Sequence, residues 1–399
     1  MITPRLRENL IASALGAGFD LAGVAAVPER DSPEEKLQSE RFAEWARAGF
    51  AGDMAWMLRE DADGVPLRSS LQRAVPWARS VVLCAINYNS AQPRSIDAAP
   101  DGAGWIARYA WSGDSTGDEA VPTDYHEVLL ARLKRVEADL HAMVPPGEEA
   151  IQTRCYVDTG PVVERWFAQL SGIGWIGKNT CMLNQQQGSW LLLGVLLTSL
   201  PLTNDAVLLP AADRCGTCTR CIDACPTDAL IAPRRMDATR CIAYLTIEKK
   251  GSIDESLRPL MGRQVFGCDI CQDVCPWNRR APVGTAPDMQ ARTSLVNPSL
   301  EDLAAMDTPA FKRRFRGSPL ERTGRRRLQR NVAIAMGNSG DARHTQRLQT
   351  WAAGEDEMLR EAAAWALEQI VGTGTSLDQQ TPQAFKEEKI TPDSSASIV

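Results

Sequence analysis

Eight of the eleven cysteines in this 399-residue chain lie between Cys215 and Cys275, seven of them in two short runs and Cys241 between the runs. The first run, C-G-T-C-T-R-C-I-D-A-C-P, begins at Cys215, and the second, C-D-I-C-Q-D-V-C-P, begins at Cys268. The first run has the spacing typical of bacterial ferredoxins, in which three cysteines bind one iron–sulfur cluster and the fourth binds the other. The two runs therefore predict two [4Fe–4S] clusters in one module, with single-electron transfer over a short path.

A ferredoxin-type exchange of ligands divides the eight cysteines into two sets. The first cluster is predicted to bind Cys215, Cys218, Cys221 and Cys275. The second cluster is predicted to bind Cys225, Cys241, Cys268 and Cys271. Cys241 is included because a symmetric ferredoxin would have a cysteine at position 265, where this chain has Val265. The alternative, structural zinc, uses pairs of cysteines and leaves the third cysteine and the Cys-Pro pairs unexplained.

The other three cysteines, Cys84, Cys155 and Cys181, lie in or beside apolar segments. Lone cysteines in strands usually behave as small buried hydrophobic residues. We therefore expect these three side chains to be structural.

The residues before the cysteine module alternate between apolar strands and amphipathic helices. Residues 80–89 and 190–197 predict buried strands, and residues 124–140 predict a helix with apolar side chains on one face. Residues 1–210 are therefore assigned to an α/β domain. The cysteine-rich module follows at residues 211–283.

The C-terminal part of the chain is predicted to be helical. Two units between about 325 and 372 each close at a glycine, Gly337 or Gly372, and together they are typical of one HEAT-type helical pair. This domain is assigned to residues 284–372. Residues 373–399 are rich in Ser, Thr, Gln, Lys and Glu, which predicts a disordered tail. The predicted fold class is multidomain, α/β or α+β, ending in helices.

Asp158 is the best-placed polar residue of the α/β domain. It follows a predicted strand in the segment R-C-Y-V-D-T-G-P, residues 154–161. Ligand crevices in α/β sheets open at the carboxyl ends of strands. A carboxylic acid there can donate a proton to a substrate that receives electrons. The alternative is that Asp158 caps a helix that begins near Pro161.

A glycine-rich loop follows, G-I-G-W-I-G-K-N-T, from Gly172 to Thr180. Its glycines permit close approach of the backbone to a ligand, and Lys178 suggests contact with an anion. The loop does not match the dinucleotide fingerprint. With three histidines in the chain, a metal centre with several histidine ligands is not expected.

A basic segment, residues 311–330, contrasts with a chain whose net charge is −6. It holds nine basic residues and one acidic residue. Phosphate binding requires such a local concentration of positive charge. The alternative is a solvated face of an amphipathic helix and its linker, and composition alone leaves both open.

Composition and chain start indicate the compartment. The residues are 44% hydrophobic and 24% charged, as in ordinary globular proteins. The amino-terminal segment has no apolar core of an export signal, and the longest apolar run, Trp190 to Leu202, is too short to span a bilayer. We expect a cytoplasmic protein with no membrane partner, where clustered cysteines more often bind metal than form disulfides.

Six segments, taken together, resemble the epoxyqueuosine reductases. They are Y-V-D-T-G-P-V-V-E-R, G-I-G-W-I-G-K-N-T, R-C-I-A-Y-L-T-I-E, R-N-V-A-I-A-M-G-N-S-G-D and both cysteine runs, extended as C-P-T-D-A-L and C-Q-D-V-C-P-W-N. The resemblance covers residues 5–371, approximately, and leaves out the tail. These motifs are specific in combination, whereas the ferredoxin spacing alone is not.

The resemblance implies cobalamin in the N-terminal domain and tRNA as the substrate. The implied reaction removes the epoxide oxygen of epoxyqueuosine at the wobble position and gives queuosine, the last step of that modification. The family's proton donor corresponds to Asp158. The implied cobalamin contacts are Trp175, Ile176, Gly177, Lys178 and Asn179, together with Asp269 and Ile270. The chain has no Asp-x-His-x-x-Gly motif, so no histidine of the protein is expected below a bound cobalt.

A tRNA substrate also gives the basic segment a function. The resulting candidates for contacts with anticodon-stem phosphates are Lys312, Arg313, Arg314, Arg316, Arg325, Arg326 and Arg327. Recognition of an unpaired wobble base requires the base to be splayed out of the loop. We further expect an external low-potential electron donor and a monomeric protein.

One segment departs from the family pattern. Residues 112–123 form a polar, glycine-rich insert where the family has a short turn, and they predict a surface loop. The functions of the neighbouring Tyr109 and His126 stay open, a buried structural role being the alternative.

Two other functions are compatible with the same clusters. A corrinoid reductive dehalogenase would deliver the electrons to a small halogenated substrate, but it has no need for a basic helical module. A ferredoxin-like electron carrier would bind no cobalt cofactor and would tolerate the loss of Asp158.

Overall fold

The computed structural model describes residues 4–114, 121–144, 150–202 and 211–374. The described strands are β1 (Leu21–Ala26), β2 (Ser80–Asn87), β3 (Trp105–Ile106), β4 (Ser112–Asp114), β5 (Val121–Pro122), β6 (Thr153–Tyr156), β7 (Trp175–Ile176), β8 (Met182–Leu183), β9 (Leu191–Thr198), β10 (Leu230–Ala232), β11 (Arg235–Met236), β12 (Gln264–Phe266) and β13 (Gln290–Ala291). The described α-helices are α1 (Pro4–Gly16), α2 (Pro33–Arg47), α3 (Leu71–Ala74), α4 (Tyr125–Met143), α5 (Glu164–Leu170), α6 (Arg220–Asp223), α7 (Ile242–Ile247), α8 (Ile270–Asp273), α9 (Leu300–Ala305), α10 (Thr308–Phe315), α11 (Gly324–Ser339), α12 (Thr345–Ala352) and α13 (Glu357–Gly374). Among the described helices, none is long and apolar enough to cross a membrane.

A four-stranded antiparallel sheet, in the order β1-β2-β9-β6, is the centre of the N-terminal region. β2 is buried along its whole length, and its successive side chains point to opposite faces of the sheet. Val82, Cys84 and Ile86 pack with α1 and α4, whereas Val81 and Leu83 pack with α5. The continuous apolar run that predicts this strand therefore reflects a sheet covered on both faces.

The strand directions correct the α/β assignment, which implies a parallel sheet. The pairs within this sheet are antiparallel. The alternation of helices and strands along the chain does not determine strand direction, because a long connection can return the chain to either end of the sheet. β2 and β6 both pair with β9, and they therefore run in the same direction. The carboxyl ends of β2 and β6 therefore lie at the same end of the sheet, towards the start of β9, and a crevice forms there even though the sheet is antiparallel.

A second core joins segments that the predicted domain boundaries separate. Trp105 precedes the cysteine module, Phe266 lies inside it, and α11 and α13 follow it, yet all contribute to one buried apolar cluster. β12 also pairs in parallel with β3. The cysteine module therefore packs against both its neighbours in the chain.

The prediction that the first helical unit closes at Gly337 is wrong. α11 continues beyond it, and Gly340 follows as the left-handed cap with a φ of +63°. A Cβ at Gly337 would lie 2.7 Å from the Cα of Ala366 in α13. The glycine thus allows α11 and α13 to pack closely, a function that the sequence pattern does not distinguish from a helix end. α13 likewise continues past Gly372.

Two predictions fall partly outside the described residues. In the insert at 112–123, the two ends are β4 and β5, which pair with each other, and β4 also pairs with β13. These ends are therefore strands and not the predicted surface loop. The tail predicted at 373–399 lies outside the described residues, except for the last two residues of α13.

Candidate active site

Asp158 lies in the loop between β6 and α5, with a φ of +56°. This left-handed conformation is unfavourable for a residue with a side chain, and it persists where the surroundings hold it. The Arg68 guanidinium donates to the carbonyl oxygens of Val162 at 3.4 Å and of Asp158 at 3.5 Å, at two points of this loop. α5 begins at Glu164 with Val163 as its N-cap. The alternative that Asp158 caps this helix is therefore wrong.

The Asp158 carboxylate accepts a hydrogen bond from the Tyr125 hydroxyl at 3.1 Å. His126 stacks on Tyr125 at 4.0 Å between ring centroids, and its Nε2 lies 3.9 Å from the same Asp158 oxygen. The His126 Nδ1 lies 2.6 Å from Asp124 Oδ1, and Tyr109 packs edge-on against Tyr125. Burial, and then the charge of Asp158, raise the pKa of Tyr125, so its hydroxyl stays protonated and donates. Tyr109 and His126 thus support the residue that contacts Asp158.

One side of Asp158 borders a cavity of about 250 Å³, here named the inner cavity. The first residues of β9, Leu191–Leu193, form an apolar wall. Tyr88, Glu164 and Gln272 are among the polar residues that face it. An apolar cavity with a few convergent polar groups is typical of a small-molecule or cofactor site.

Glu164 is a candidate in this cavity that the sequence predictions missed. Burial, and to a lesser extent the charge of Asp158, raise the pKa of its carboxyl group to about 7. Its Oε1 atom is buried and has no hydrogen-bond partner among the described residues. An acid with this pKa is about half protonated at neutral pH, and the protonated form can donate its proton. Glu164 lies in the motif Y-V-D-T-G-P-V-V-E-R with Asp158, but the motif does not reveal its burial.

The thiols of the cysteine module lie in two neighbourhoods. In the first, burial and then the proximity of Cys215 and Cys218 raise the pKa of Cys221 to about 11. Burial also raises the pKa of Cys275 to about 11, and Cys221 and Cys215 are its neighbours. Within the described part of the chain, no three Cys, His, Asp or Glu side chains converge on a site for a single metal ion. A four-iron cluster instead takes four separate thiolates.

The second neighbourhood contains Cys225, Cys241, Cys268 and Cys271. Burial, and then the proximity of Cys241, raise the pKa of Cys268, which also has Cys225 nearby. Hydrogen bonding with Cys181 is the first cause of the raised pKa of Cys271, and Cys268 and Cys241 are further neighbours. Cys241 therefore lies where the cysteine missing at position 265 would be needed.

The three lone cysteines differ in environment. Cys84 is fully buried in the sheet, as predicted. Cys155 and Cys181 are only partly buried, although Cys155 still packs against the apolar core as a structural residue. Cys181 lines the inner cavity and lies beside Cys271. It therefore connects this cavity with the second group of thiols.

The side chains of the glycine-rich loop hold the cysteine runs in place. The Lys178 ammonium group donates to the carbonyl oxygens of Gly216 at 2.7 Å and Cys218 at 2.9 Å. The Asn179 amide donates to the carbonyl oxygen of Cys271 at 3.3 Å. The suggested contact of Lys178 with an anion is therefore corrected, because this ammonium group already binds two backbone carbonyls.

The rest of this loop forms a tight hairpin of β7 and β8. Trp175 is buried edge-on against Trp277, with 5.1 Å between ring centroids, and its indole Nε1 has no hydrogen-bond partner among the described residues. A Cβ at Gly177 would lie 2.1 Å from Leu183 Cδ1, so this glycine serves the packing of the hairpin. Ile176 is partly exposed.

Asp269 and Ile270, between two cysteines of the second group, have different environments. The buried Asp269 carboxylate accepts hydrogen bonds from the Arg108 backbone N–H at 2.8 Å and from the Trp105 indole at 3.1 Å. Burial, and then the nearby Asp273, raise its pKa to about 7. This carboxylate is therefore engaged by donors inside the protein, while Ile270 remains partly exposed.

The candidate tRNA contacts of the basic segment are not equally available. Lys312, Arg313 and Arg316 are exposed, and in the described residues their side chains have no hydrogen-bond partner. The others are engaged within the protein. Arg314 donates to Ser294 O, Arg325 to Thr308 Oγ1 and Gln329 Oε1, Arg326 pairs with Asp356, and Arg327 donates to Thr323 O and Ile247 O.

The other side of Asp158 borders a second cavity, of about 210 Å³, here named the outer cavity. Its wall includes Trp56, Arg59, Arg68 and Arg322, none of which was selected from the sequence. Arg322 belongs to the basic segment, which was a usable signal. The other three are far from Asp158 in the chain, and only the tertiary structure brings them to it.

Two family models match separate parts of the chain. Residues 68–159 match the model described as "Epoxyqueuosine reductase QueG, DUF1730". Residues 214–278 match the model described as "4Fe-4S double cluster binding domain". The second range contains the seven cysteines of the two runs and Cys241 between them.

Curated relatives match almost the whole chain. The epoxyqueuosine reductase of Xanthomonas campestris pv. campestris is 39% identical over 356 residues, which cover 88% of this chain and 93% of the relative. The epoxyqueuosine reductase of Escherichia coli K12 is 35% identical over 369 residues, which cover 92% and 90%.

Solved structures of the same enzyme superpose closely. An epoxyqueuosine reductase crystallised with an epoxyqueuosine-modified tRNA-Tyr stem loop aligns with a TM-score of 0.76 and 30% identity, over 92% of this chain and 90% of that chain. The Bacillus subtilis enzyme, solved with its catalytic aspartate loop swung out of the active site, aligns with a TM-score of 0.75 and 28% identity over the same shares.

Proposed function

The chain belongs to the epoxyqueuosine reductases, oxidoreductases that convert epoxyqueuosine to queuosine, and we propose that it acts on the wobble nucleotide of a tRNA with Asp158 as the proton donor. The tRNA stem loop in the related structure supports this substrate. The observation that carries the assignment of Asp158 is its position. Its carboxylate lies between the inner and outer cavities, on a loop held in a left-handed conformation.

The residues of the inner cavity fit a cobalamin cofactor. Cobalamin has an apolar ring system bordered by amide side chains, and the cavity combines the apolar wall Leu191–Leu193 with polar groups. The buried Glu164 Oε1 lacks a partner among the described residues, which supports a polar ligand there. We propose that Ile176, Ile270 and the backbone of the Gly177 loop contribute further contacts. When bound, this cofactor supplies low-valent, strongly reducing cobalt chemistry.

Removal of the epoxide oxygen to give an alkene and water consumes two electrons and two protons. We propose that Asp158 donates one proton to the departing oxygen. The Tyr125 hydroxyl then stabilises the resulting carboxylate through its hydrogen bond. The Asp158 side chain is 56% exposed, so solvent has direct access to it for the return of the proton. Glu164 is the proposed source of the second proton, because a pKa of about 7 leaves a large fraction of this carboxyl group protonated near neutral pH.

The electrons are proposed to arrive through two [4Fe–4S] clusters, bound by the two sets of cysteines predicted from the sequence. An external low-potential donor would reduce them. The neighbourhoods of the thiols support this division. Cys181 lines the inner cavity and lies beside Cys271, which supports the second cluster as the one nearer this cavity.

The remaining assignments follow from the same function. We propose a cofactor-binding domain at 1–210, a cluster domain at 211–283 and a HEAT-like tRNA-binding domain at 284–372, in a cytoplasmic monomer. The packing of α11 against α13 supports the helical pair. The exposed Lys312, Arg313 and Arg316 are the favoured contacts with anticodon-stem phosphates.

The test begins with anaerobic reconstitution with iron, sulfide and cobalamin, followed by metal analysis. About eight irons and one cobalt per chain are expected. Eight irons without retained cobalt would favour an electron carrier. The loaded protein is then assayed on an epoxyqueuosine-modified tRNA stem loop, with the product nucleoside identified by mass spectrometry.

Asp158→Ala is the decisive variant in that assay. It is expected to keep the clusters and the cobalt but to lose turnover by about 10²–10⁴-fold, the usual contribution of a general acid. Asp158→Asn is the matched variant that preserves size and polarity without the proton. Normal turnover by either variant would remove Asp158 from the mechanism.

A further inference from the structure

The outer cavity combines three guanidinium groups with an exposed aromatic ring beside Asp158. Arg59, Arg68 and Arg322 line it, and Asp158 is its acidic residue. The Arg68 Cζ lies 4.8 Å from the centre of the Trp56 ring, and the Arg322 Cζ lies 5.7 Å from it. The ring thus orders two arginines whose positive charges would otherwise repel each other.

The three arginines differ in what already binds them. Arg68 is bound to the loop carbonyls of Asp158 and Val162. Arg322 pairs with Glu248 at 2.8 Å, but its side chain remains 48% exposed. Arg59 is exposed, and the described residues provide no partner for its guanidinium group. Arg59 and Arg322 can therefore bind a ligand, whereas Arg68 holds the loop that carries Asp158.

This chemistry selects an anion with several oxygen atoms. A guanidinium group presents a planar fork of N–H donors that matches a phosphate group. An anion in this cavity would lie immediately beside Asp158. If the nucleotide that reacts at Asp158 belongs to a nucleic-acid strand, a phosphodiester group of that strand must lie close to it, because each nucleotide carries one on either side.

We propose that the outer cavity is the subsite for a phosphodiester that flanks the reacting nucleotide, with Arg59 and Arg322 as the direct contacts and Arg68 as a positioning residue. This inference rests on the proposed function and deepens it. It separates two kinds of tRNA contact. Arg59 and Arg322 act at the reacting nucleotide, whereas Lys312, Arg313 and Arg316 act on the more distant stem.

The test compares two substrates of the reconstituted holoenzyme. One is the full epoxyqueuosine-modified anticodon stem loop, and the other is a short single-stranded oligonucleotide with the modified nucleotide and its flanking phosphates. Arg59→Gln and Arg322→Gln are each expected to raise KM about tenfold on both substrates, as for one lost charge-assisted hydrogen bond. Arg313→Gln is expected to raise KM on the stem loop alone. Arg5→Gln, an exposed arginine on α1, is the matched control and should leave both KM values unchanged.

Salt dependence and a conservative variant sharpen the result. Loss of one phosphate contact should reduce the slope of log affinity against log salt by about 0.7 for a single strand. Arg322→Lys keeps the charge but loses the fork, so its KM should lie between those of the wild type and Arg322→Gln. Iron content and thermal melting identify any variant that has failed to fold. If Arg322→Gln fails to fold, Arg59→Gln, at an exposed residue, tests the proposed subsite independently.

Wild-type KM values for Arg59→Gln and Arg322→Gln on the short oligonucleotide would overturn the proposal. The alternative is that the outer cavity binds only free anions. In that case inorganic phosphate would inhibit the wild type but not Arg322→Gln, and the substrate KM of the variant would stay unchanged. This result would also overturn the proposal. Fluorescence anisotropy measures binding of the same oligonucleotides, and it separates failure of the proposed reaction from failure of the proposed phosphodiester subsite. Binding that depends on Arg322, in a holoenzyme without turnover, would reject the proposed reaction and keep the subsite.

Discussion

The inner and outer cavities meet at Asp158 but are built from opposite chemistry. The inner cavity has an apolar wall from β9 and an acid whose Oε1 atom is buried, Glu164, and it lies beside the second group of thiols. The outer cavity is lined by arginines and an exposed Trp56. A low-dielectric site favours electron and proton delivery with little solvent, whereas an open basic site attracts a charged strand. In the proposed function, the single acid between them is where nucleic acid and electrons are brought together.

The largest expected effect is on turnover, and it comes from a variant that removes the proposed delivery of electrons to the inner cavity. Cys241→Ala should abolish turnover and lower the iron content from about eight to about four atoms per chain, because a [4Fe–4S] cluster needs four ligands. Iron analysis and electron paramagnetic resonance after reconstitution measure the loss. Cys155→Ala, at a partly exposed lone cysteine, should retain both clusters. A full iron content in Cys241→Ala would reject the second ligand set.

The next largest effect concerns the acid of the inner cavity. Wild-type turnover is expected to fall as pH rises through about 7, because Glu164 then loses its proton. Glu164→Gln should lower turnover by about a hundredfold and remove this pH dependence. The pH profile of kcat distinguishes the two enzymes. An unchanged profile in the variant would show that the second proton comes from elsewhere.

The same carboxyl group links stability to pH. Its ordinary pKa of 4.5 rises to about 7 in the folded protein, so between these values the folded state binds more protons than the unfolded state. The contribution of Glu164 to the free energy of unfolding is therefore present below about pH 4.5 and lost as pH rises through about 7. The Tm of Glu164→Gln relative to wild type should rise across this window. A constant difference would mean that the carboxyl is not buried as described.

A smaller effect is expected at the boundary between the cavities. Tyr125→Phe removes the hydroxyl that donates to Asp158 at 3.1 Å and should lower kcat about tenfold, as for a hydrogen bond to a charged group. Tyr109→Phe, whose ring contacts Tyr125, should have less effect. Steady-state kinetics of both variants provide the measurement, and equal effects would indicate that packing matters more than the hydroxyl.

The smallest effect is expected where an arginine of the basic segment is already paired. Arg326 forms an exposed ion pair with Asp356, and such surface pairs contribute less than about 1 kcal/mol. Arg326→Gln should therefore change the free energy of unfolding by less than that and leave the stem-loop KM near the wild-type value. Chemical denaturation and KM measurements beside Arg313→Gln test this. A KM change as large as that of Arg313→Gln would mean that the ion pair opens on tRNA binding.

The local patterns of the sequence predicted a large part of this protein. The strands β2 and β9 and the helix α4 were expected from their apolar patterns, and the reaction was expected from the motifs. The two cysteine runs predicted the iron–sulfur module, because the ligands of a cluster come from a few neighbouring residues whose spacing follows from the loop itself. The position of Asp158 at the end of a strand is likewise a local property.

Other features depend on residues that are distant in the chain. In the sequence Gly337 is typical of a helix end, but in the folded protein Ala366 of α13 packs against it. Lys178 resembled an anion ligand, but two carbonyls of the cysteine module already bind it. In both cases the residue type is compatible with two environments, and the packing of another segment determines which one occurs.

The sequence alone thus determined which chemical groups this chain contains and which of them are neighbours along a loop or strand. The tertiary structure decided the direction of the sheet strands, the burial that raises the pKa of Glu164, and the meeting of Trp56, Arg59 and Arg322 beside Asp158. Burial and proximity between distant segments arise when the two cores pack, because each contact then depends on the position of the whole chain.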